Sequence, residues 1–178
     1  VLKEHSIEKD ILTLITQVVV DKNDPAFKNP VKRIGNSYSF KEANKLNKTK
    51  GWIFGEETKM KNRYRRLVAS PEPKEIFNKL TIEQTAKKGV IVIAAGGGGI
   101  PVYIDDTGMT RPIEAVIDKD MASSLLASEV NAQAYYILTD VPYVFIDYKK
   151  PTQHIAEFLN LHDAEKFLNE GQFEMGTM

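Results

Sequence analysis

Three short runs of nearly unbroken apolar character restrict the folds open to this chain more than any other feature. They are residues 11–20 (ILTLITQVVV), residues 90–95 (VIVIAA) and residues 135–139 (YYILT). A strand with one wet face alternates apolar and polar positions. A run that is apolar on both sides must be covered on both, as buried strands of a parallel sheet are. Helical spacing fills the intervals. Residues 74–88 repeat Ile76, Leu80, Ile82 and Ala86 and meet Gly89, a residue suited to stopping a helix. Residues 121–130 read as a second helix, introduced by Asp118–Lys119–Asp120, and residues 162–169 as another, with Gly171 just past its end. This alternation predicts an α/β fold with a mostly parallel sheet covered on both faces. Ligands of such sheets gather at the carboxyl ends of the strands. Polar or Gly-rich clusters follow the predicted strands at residues 21–30, 96–101 and 139–143.

Residues 29–70 differ in character. Pro30, Gly35, Asn36 and Ser37 mark turns, a polar helix is expected over residues 40–50, and Trp52–Ile53–Phe54 reads as a short strand. A basic run over residues 59–66 follows, closed by Pro71 and Pro73. With so little apolar periodicity, this stretch is an excursion from the core. The 178 residues suit one domain. Lys plus Arg and Asp plus Glu balance at 24 each, which gives no support for a nucleic acid or acidic membrane partner. The absence of cysteine excludes disulfides and thiolate-bound metal and fits the cytoplasm. No apolar run reaches the roughly 18 residues of a membrane span, and the first residues are too polar for a signal peptide.

Gly96, Gly97, Gly98 and Gly99 follow a predicted strand. Glycine permits positive φ, so successive N–H groups can converge on a phosphoryl or carboxylate oxyanion. No Gly-Lys-Ser/Thr follows, so this is not a Walker A loop. The competing reading is a tight turn with close strand–helix packing. The triplet Asp118–Lys119–Asp120 has two readings as well. In one, Asp120 caps the helix and Asp118 complements its dipole. In the other, Lys119 faces a phosphate and Asp120 orients the lysines, which suffices for phosphoryl transfer. Thr139, Asp140 and Val141 either meet a nucleotide or simply end a strand. The basic run reads as a solvated or internally paired face. His5, His154 and His162 are scattered without metal-ligand spacing.

The ordered set of motifs resembles the carbamate kinase family, within the amino acid kinase superfamily. TQVVVDKNDPAFKNP (residues 16–30) followed by Lys32 is similar to its central strand end, and YRRLVASPEPKEI (64–76) to the stretch after its protruding subdomain. GVIVIAAGGGGIPV (89–102), EAVIDKDMASSLLASEVNA (114–132), ILTDV (137–141) and EGQFEMGTM (170–178) complete the series. The resemblance implies a three-layer α/β/α sandwich, with residues 29–70 as a protruding lid subdomain, assembled as a homodimer. It implies reversible phosphoryl transfer between ATP and carbamate, giving ADP and carbamoyl phosphate with Mg²⁺, commonly toward ATP in arginine fermentation. By position it makes Lys32 and Lys119 contacts of the transferring group and Asp120 their organiser. Gly96 to Gly99 would line the phosphoryl site, and Thr139, Asp140 and Val141 the nucleotide site.

Departures from the family pattern are specific. Family members begin with a strand and a Gly-Gly-Asn loop that has no counterpart in these residues, and they continue to another active-site lysine beyond the position of Met178. In the lid, Arg33 replaces a proline, Asn36–Ser37 replaces Gly-Pro, and Lys61–Asn62–Arg63 stands where Gly-Arg-Gly is customary. Two other readings stay open on the residues: a kinase for a different small acid, and an inactive nucleotide- or anion-binding protein.

Overall fold

The computed structural model describes residues 3–57, 60–139 and 141–173. The chain divides into two compact units, Val1–Tyr135 and Tyr136–Met178.

In the first unit, the apolar run at residues 11–20 is two strands, β1 (Ile11–Thr13) and β2 (Gln17–Val20). There follow β3 (Lys32–Ser39), α1 (Phe40–Lys50), β4 (Ile53–Glu56), β5 (Arg63–Val68) and β6 (Pro73–Ile76). The unit continues through α2 (Lys79–Lys87), β7 (Ile91–Ile93), β8 (Ile100–Ile104), β9 (Thr110–Pro112) and α3 (Lys119–Glu129). β1 runs parallel to β7, with Ile11 opposite Ile91 and Thr13 opposite Ile93. β2 runs parallel to β8, with Gln17 opposite Ile100 and Val19 opposite Val102. Three residues, 14–16, therefore face six, 94–99, across one interrupted parallel pairing. The surplus backbone leaves the ladder as a loop, and that loop contains the four glycines.

The expected parallel pairing holds for these two pairs, and antiparallel strands extend the second of them. The sheet order is β6-β2-β8-β9, with β6 antiparallel to β2 and β9 antiparallel to β8. β6 corrects one expectation: residues 74–88 are a strand and then a helix. The bare edge of β2 captures the chain first, carrying Ile76 to full burial, so tertiary pairing overrides the local helical spacing. Val18, Val20, Ile76, Ile82, Ile117 and Ala122 form the core, with Leu14, Val92, Leu125 and Leu126 packed against it.

Residues 32–68 build a separate antiparallel sheet, β3-β5-β4, that carries α1. The helix starts where expected because Ser39 and Glu42 form a reciprocal capping box, and Gly51 ends it at φ 67°. The three arginines of the basic run are engaged internally, while Lys61 stands exposed. Arg63 donates to Ser37 O at 2.6 Å, Arg65 pairs with Glu57 at 2.6 Å, and Arg66 pairs with Glu114. Lys59 lies outside the described residues.

The second unit holds an antiparallel hairpin, β10 (Val144–Ile146) with β11 (His154–Ala156), and α4 (Leu161–Asn169), capped by Asn160. Gly171 follows at φ 71°, as the sequence indicates. Residues 135–139, read as a buried strand, carry no regular structure; Tyr136 is 84% and Leu138 98% exposed. Among the described residues, β10 and β11 pair only with each other and no strand pairs with this apolar run. Asp147, at the hairpin's turn, accepts hydrogen bonds from Lys150, Thr152 and Gln172, which hold its carboxyl at about 2. Among the described residues, no helix is long and apolar enough to cross a membrane.

Ile76→Ala should cost about 2–5 kcal/mol by denaturant unfolding, because a fully buried side chain at the β2–β6 seam leaves a cavity. Asp147 supplies a pH prediction for the hairpin. A carboxyl depressed in the fold stabilises it above the ordinary value of 3.8 and ceases to as pH falls through about 2. A carbon-13 titration of Asp147 should show its midpoint near the lower value; a midpoint near the ordinary one would remove the turn interactions from this role.

Candidate functional site

The six-residue loop opposite residues 14–16 is clasped by Thr16, whose side chain is the only buried polar one among the described residues. Its hydroxyl accepts the Ala95 N–H at 2.8 Å and donates to Leu14 O at 3.2 Å. Its carbonyl accepts the N–H of Ile100 at 2.8 Å. One residue thus holds both ends of the loop.

Two of the glycines are demanded by close approach. A Cβ on Gly98 would stand 2.3 Å from the carbonyl oxygen of Ile117, and one on Gly99 would stand 2.6 Å from Val18 Cγ2. Both have positive φ, 130° and 85°. The tight-packing reading of the glycine run is therefore correct for half of it. The Gly96 and Gly98 N–H groups donate inside the loop, to Ala94 O at 2.7 Å and Ala95 O at 2.8 Å. Those of Gly97 and Gly99 meet no acceptor among the described residues. Convergence of all four amides does not occur; two donate within the loop and two have no acceptor among the described residues. They border an open cleft of about 390 Å³ lined by Leu14, Ile15, Thr16, Ala95, Gly97 and Ile100.

The contact between Gly98 and Ile117 also sets the loop against the entry of α3, because Asp118 comes next. Asp118 caps that helix: its Oδ1 accepts the N–H of Asp120 at 3.0 Å and of Met121 at 3.4 Å. The cap is thus Asp118 and not Asp120, because Asp118 keeps the extended backbone an N-cap requires while Asp120 is already helical. The second Asp118 oxygen accepts a hydrogen bond from Lys32 Nζ, 86 residues away in sequence. Burial works to raise the Asp118 carboxyl, but the Lys32 ammonium and the Asp120 amide outweigh it and hold it below the ordinary carboxylate value. Lys119, on the first turn, lies 3.4 Å from Asp120; Lys119 is exposed and Asp120 half-buried.

Lys32 is therefore held, through Asp118, at the helix start that carries Lys119 and Asp120, beside the glycine loop. Thr139 and Val141 belong to the second unit, in an exposed segment without regular structure, and Asp140 lies outside the described residues. Two residues here escaped sequence reasoning. Thr16 had a faint signal, as a hydroxyl inside an apolar run. Asp118 as the partner of Lys32 had none, since the pairing is nonlocal. Among the described residues, no three His, Asp or Glu side chains converge as a cation site.

A family model described as the amino acid kinase family matches residues 22–178. The chain belongs to the amino acid kinase family. Within it, the chain is 46% identical to the carbamate kinase of Clostridium perfringens over 177 residues, 99% of this chain and 55% of that protein. It is 45% identical to the carbamate kinase of Thermoplasma volcanium over 178 residues, 100% of this chain and 57% of that protein. The solved carbamate kinase of Giardia lamblia bound to AMP-PNP superposes with a TM-score of 0.85 at 35% identity, over 99% of this chain and 55% of that one. The chain thus spans about 55% of the length of the curated relatives it matches. The match to this structure establishes the amino acid kinase fold for these residues, an α/β fold with mixed strand pairing.

Two glycine substitutions separate packing from ligand binding. Gly98→Ala should cost at least about 1–3 kcal/mol in thermal unfolding, since its Cβ meets backbone and its φ is left-handed. Gly97→Ala, with nothing within 4 Å and no positive φ, should leave stability unchanged. Equal losses at both positions would contradict this loop geometry.

Proposed function

We propose that this amino acid kinase family member is a carbamate kinase, catalysing reversible phosphoryl transfer between ATP and carbamate to give ADP and carbamoyl phosphate. The observation that carries the reading is the lysine–aspartate bridge from Lys32 to Asp118, set at a helix start against a glycine loop with two unused amides. Phosphoryl transfer asks for positioned positive charge and little covalent help, and this arrangement supplies it. The names and identities of the curated relatives support carbamate as the acceptor.

In the ATP-forming direction, a β-phosphate oxygen of ADP attacks the phosphorus of carbamoyl phosphate. The bond from phosphorus to the carbamate oxygen breaks, and carbamate leaves with its electron pair. Negative charge spreads over the equatorial oxygens, where the amides of Gly97 and Gly99 and the ammonium groups of Lys32 and Lys119 would stabilise it. Asp118 acts through Lys32, keeping its Nζ at the α3 entry. Asp120 stands beside Lys119 in the same way. Thr139, Asp140 and Val141 are assigned to the nucleotide, and residues 29–70 to a lid over the phosphoryl site. The AMP-PNP held by the Giardia lamblia enzyme supports an adenine nucleotide as substrate. Mg²⁺ would arrive on the nucleotide phosphates, since it keeps most of its waters and is commonly held through substrate phosphates in phosphoryl-transfer sites. The proposal extends to a cytoplasmic homodimer.

A coupled assay for ATP formed from ADP, Mg²⁺ and carbamoyl phosphate tests the reaction directly. Turnover supports it; a folded protein that binds ADP without turnover removes it. Lys119→Ala should lower kcat about 10²- to 10³-fold and change ADP affinity by only a few-fold, because its charge acts on the transferring group. Asp118→Asn separates two roles, since asparagine still caps a helix but cannot neutralise Lys32. It should lower kcat about tenfold or more with a melting temperature close to the parent's. A kcat equal to the parent's would relieve Asp118 of any part in positioning.

A further inference from the structure

Positive charge is concentrated in residues 29–70. That segment carries eleven Lys and Arg against three Asp and Glu, while the rest of the chain carries thirteen against twenty-one. The overall neutrality of the sequence hides a segment with a surplus of eight cations. Little of that surplus is neutralised locally. Glu42 is taken by the Ser39 cap, Glu56 accepts the Asn62 N–H, and Glu57 pairs with Arg65. Lys32 and Arg66 reach out to Asp118 and Glu114. Lys41, Lys45 and Lys48 stand exposed at spacings of four and three on α1, which puts them along one helical face. None of the three has a carboxylate partner among the described residues. Lys50 adds a further exposed cation, held 4.6 Å over the ring of Trp52.

We infer that the lid is an electrostatic collector, its unpaired lysines drawing the polyanionic substrates, ADP and carbamoyl phosphate, toward the site at its base. This rests on the carbamate kinase reading, in which both substrates of the ATP-forming direction are anions. The physical basis is long-range. A one-signed surface beside a cleft raises the local concentration of oppositely charged ligand and speeds its arrival, by about 10-fold or more at low ionic strength. Within the first unit, the residues outside 29–70 carry ten Lys and Arg against fourteen Asp and Glu, so the lid is that unit's favourable side for an approaching anion. The stripe needs no contact with bound substrate, and its loss should change arrival and not departure.

The experiment uses the full-length protein and two triple variants, Lys41→Gln/Lys45→Gln/Lys48→Gln and the corresponding arginine set. Stopped-flow association of a fluorescent ADP analogue and kcat/KM for carbamoyl phosphate are measured from about 0.01 M to about 0.3 M ionic strength, across which screening shortens from tens of ångströms to a few. In the parent both quantities should fall about tenfold across that range. The glutamine variant should start about three- to tenfold lower and converge on the parent at the high end, with the dissociation rate and kcat unchanged; the arginine variant should match the parent. An association rate for the glutamine variant equal to the parent's at low ionic strength overturns the inference. So does a deficit that persists at high ionic strength, which would indicate a local contact. The association rate needs no turnover. Salt-steered analogue binding without ATP formation would therefore sink the carbamate kinase reading while supporting the collector, and no analogue binding at any ionic strength would sink both.

Discussion

Where the parallel ladder between residues 11–20 and 91–102 opens, a single hydroxyl holds the gap. Thr16 takes the N–H of Ala95 on one side of the glycine loop, and its carbonyl takes that of Ile100 on the other. Ala95 itself adopts φ 61°, a conformation that costs an L-residue about 1–2 kcal/mol, so the clasp must outweigh local strain. The rest of the first unit is organised by this interruption. It decides that six residues bulge from the sheet at the carboxyl end of β7. It decides that Gly98 backs onto Ile117, and through Ile117 it fixes where α3 begins. The helix start, its cap and both lysines are placed by the same few backbone atoms.

The electrostatics follow from that placement. Asp118 serves the helix with one oxygen and Lys32 with the other. A carboxylate so engaged stays ionised despite partial burial, and the lysine it holds cannot swing freely into solvent. Arg66 and Glu114 form a second bridge of the same polarity, again a cation from the β3-β5-β4 sheet and an anion from outside it. Both bridges are partly exposed, so neither contributes much stability alone. Their importance is geometric: they tie a strongly basic segment to two acidic residues, Glu114 and Asp118, just ahead of α3.

Legibility differed sharply between kinds of element. Helix α1 was readable to the residue because its signals are local: a Ser-x-x-Glu box at one end and a glycine at the other. The entry of α3 was readable in outline, but which of two aspartates capped it was not, since both are good caps and only the backbone angle distinguishes them. Residues 74–76 read as helix and paired as strand, because Ile76 satisfies either period and the exposed edge of β2 settled the matter. Residues 135–139 read as a buried strand on composition alone, and no strand among the described residues pairs with them.

The sequence by itself determined the α/β character, the glycine loop after an apolar strand, the grouping of Lys119 and Asp120 at a helix start, and the excess of cations in residues 29–70. Each of these is set by residue type, or by spacing within about a dozen positions, where chain geometry leaves few alternatives. Tertiary structure decided which glycine amides remain free, that Thr16 closes the loop, that Asp118 and Lys32 are partners, and that the lysines of α1 stand unpaired. Those outcomes depend on contacts between segments tens of residues apart. Their energies come from which groups the fold happens to bring within hydrogen-bonding distance, a quantity that no local pattern encodes.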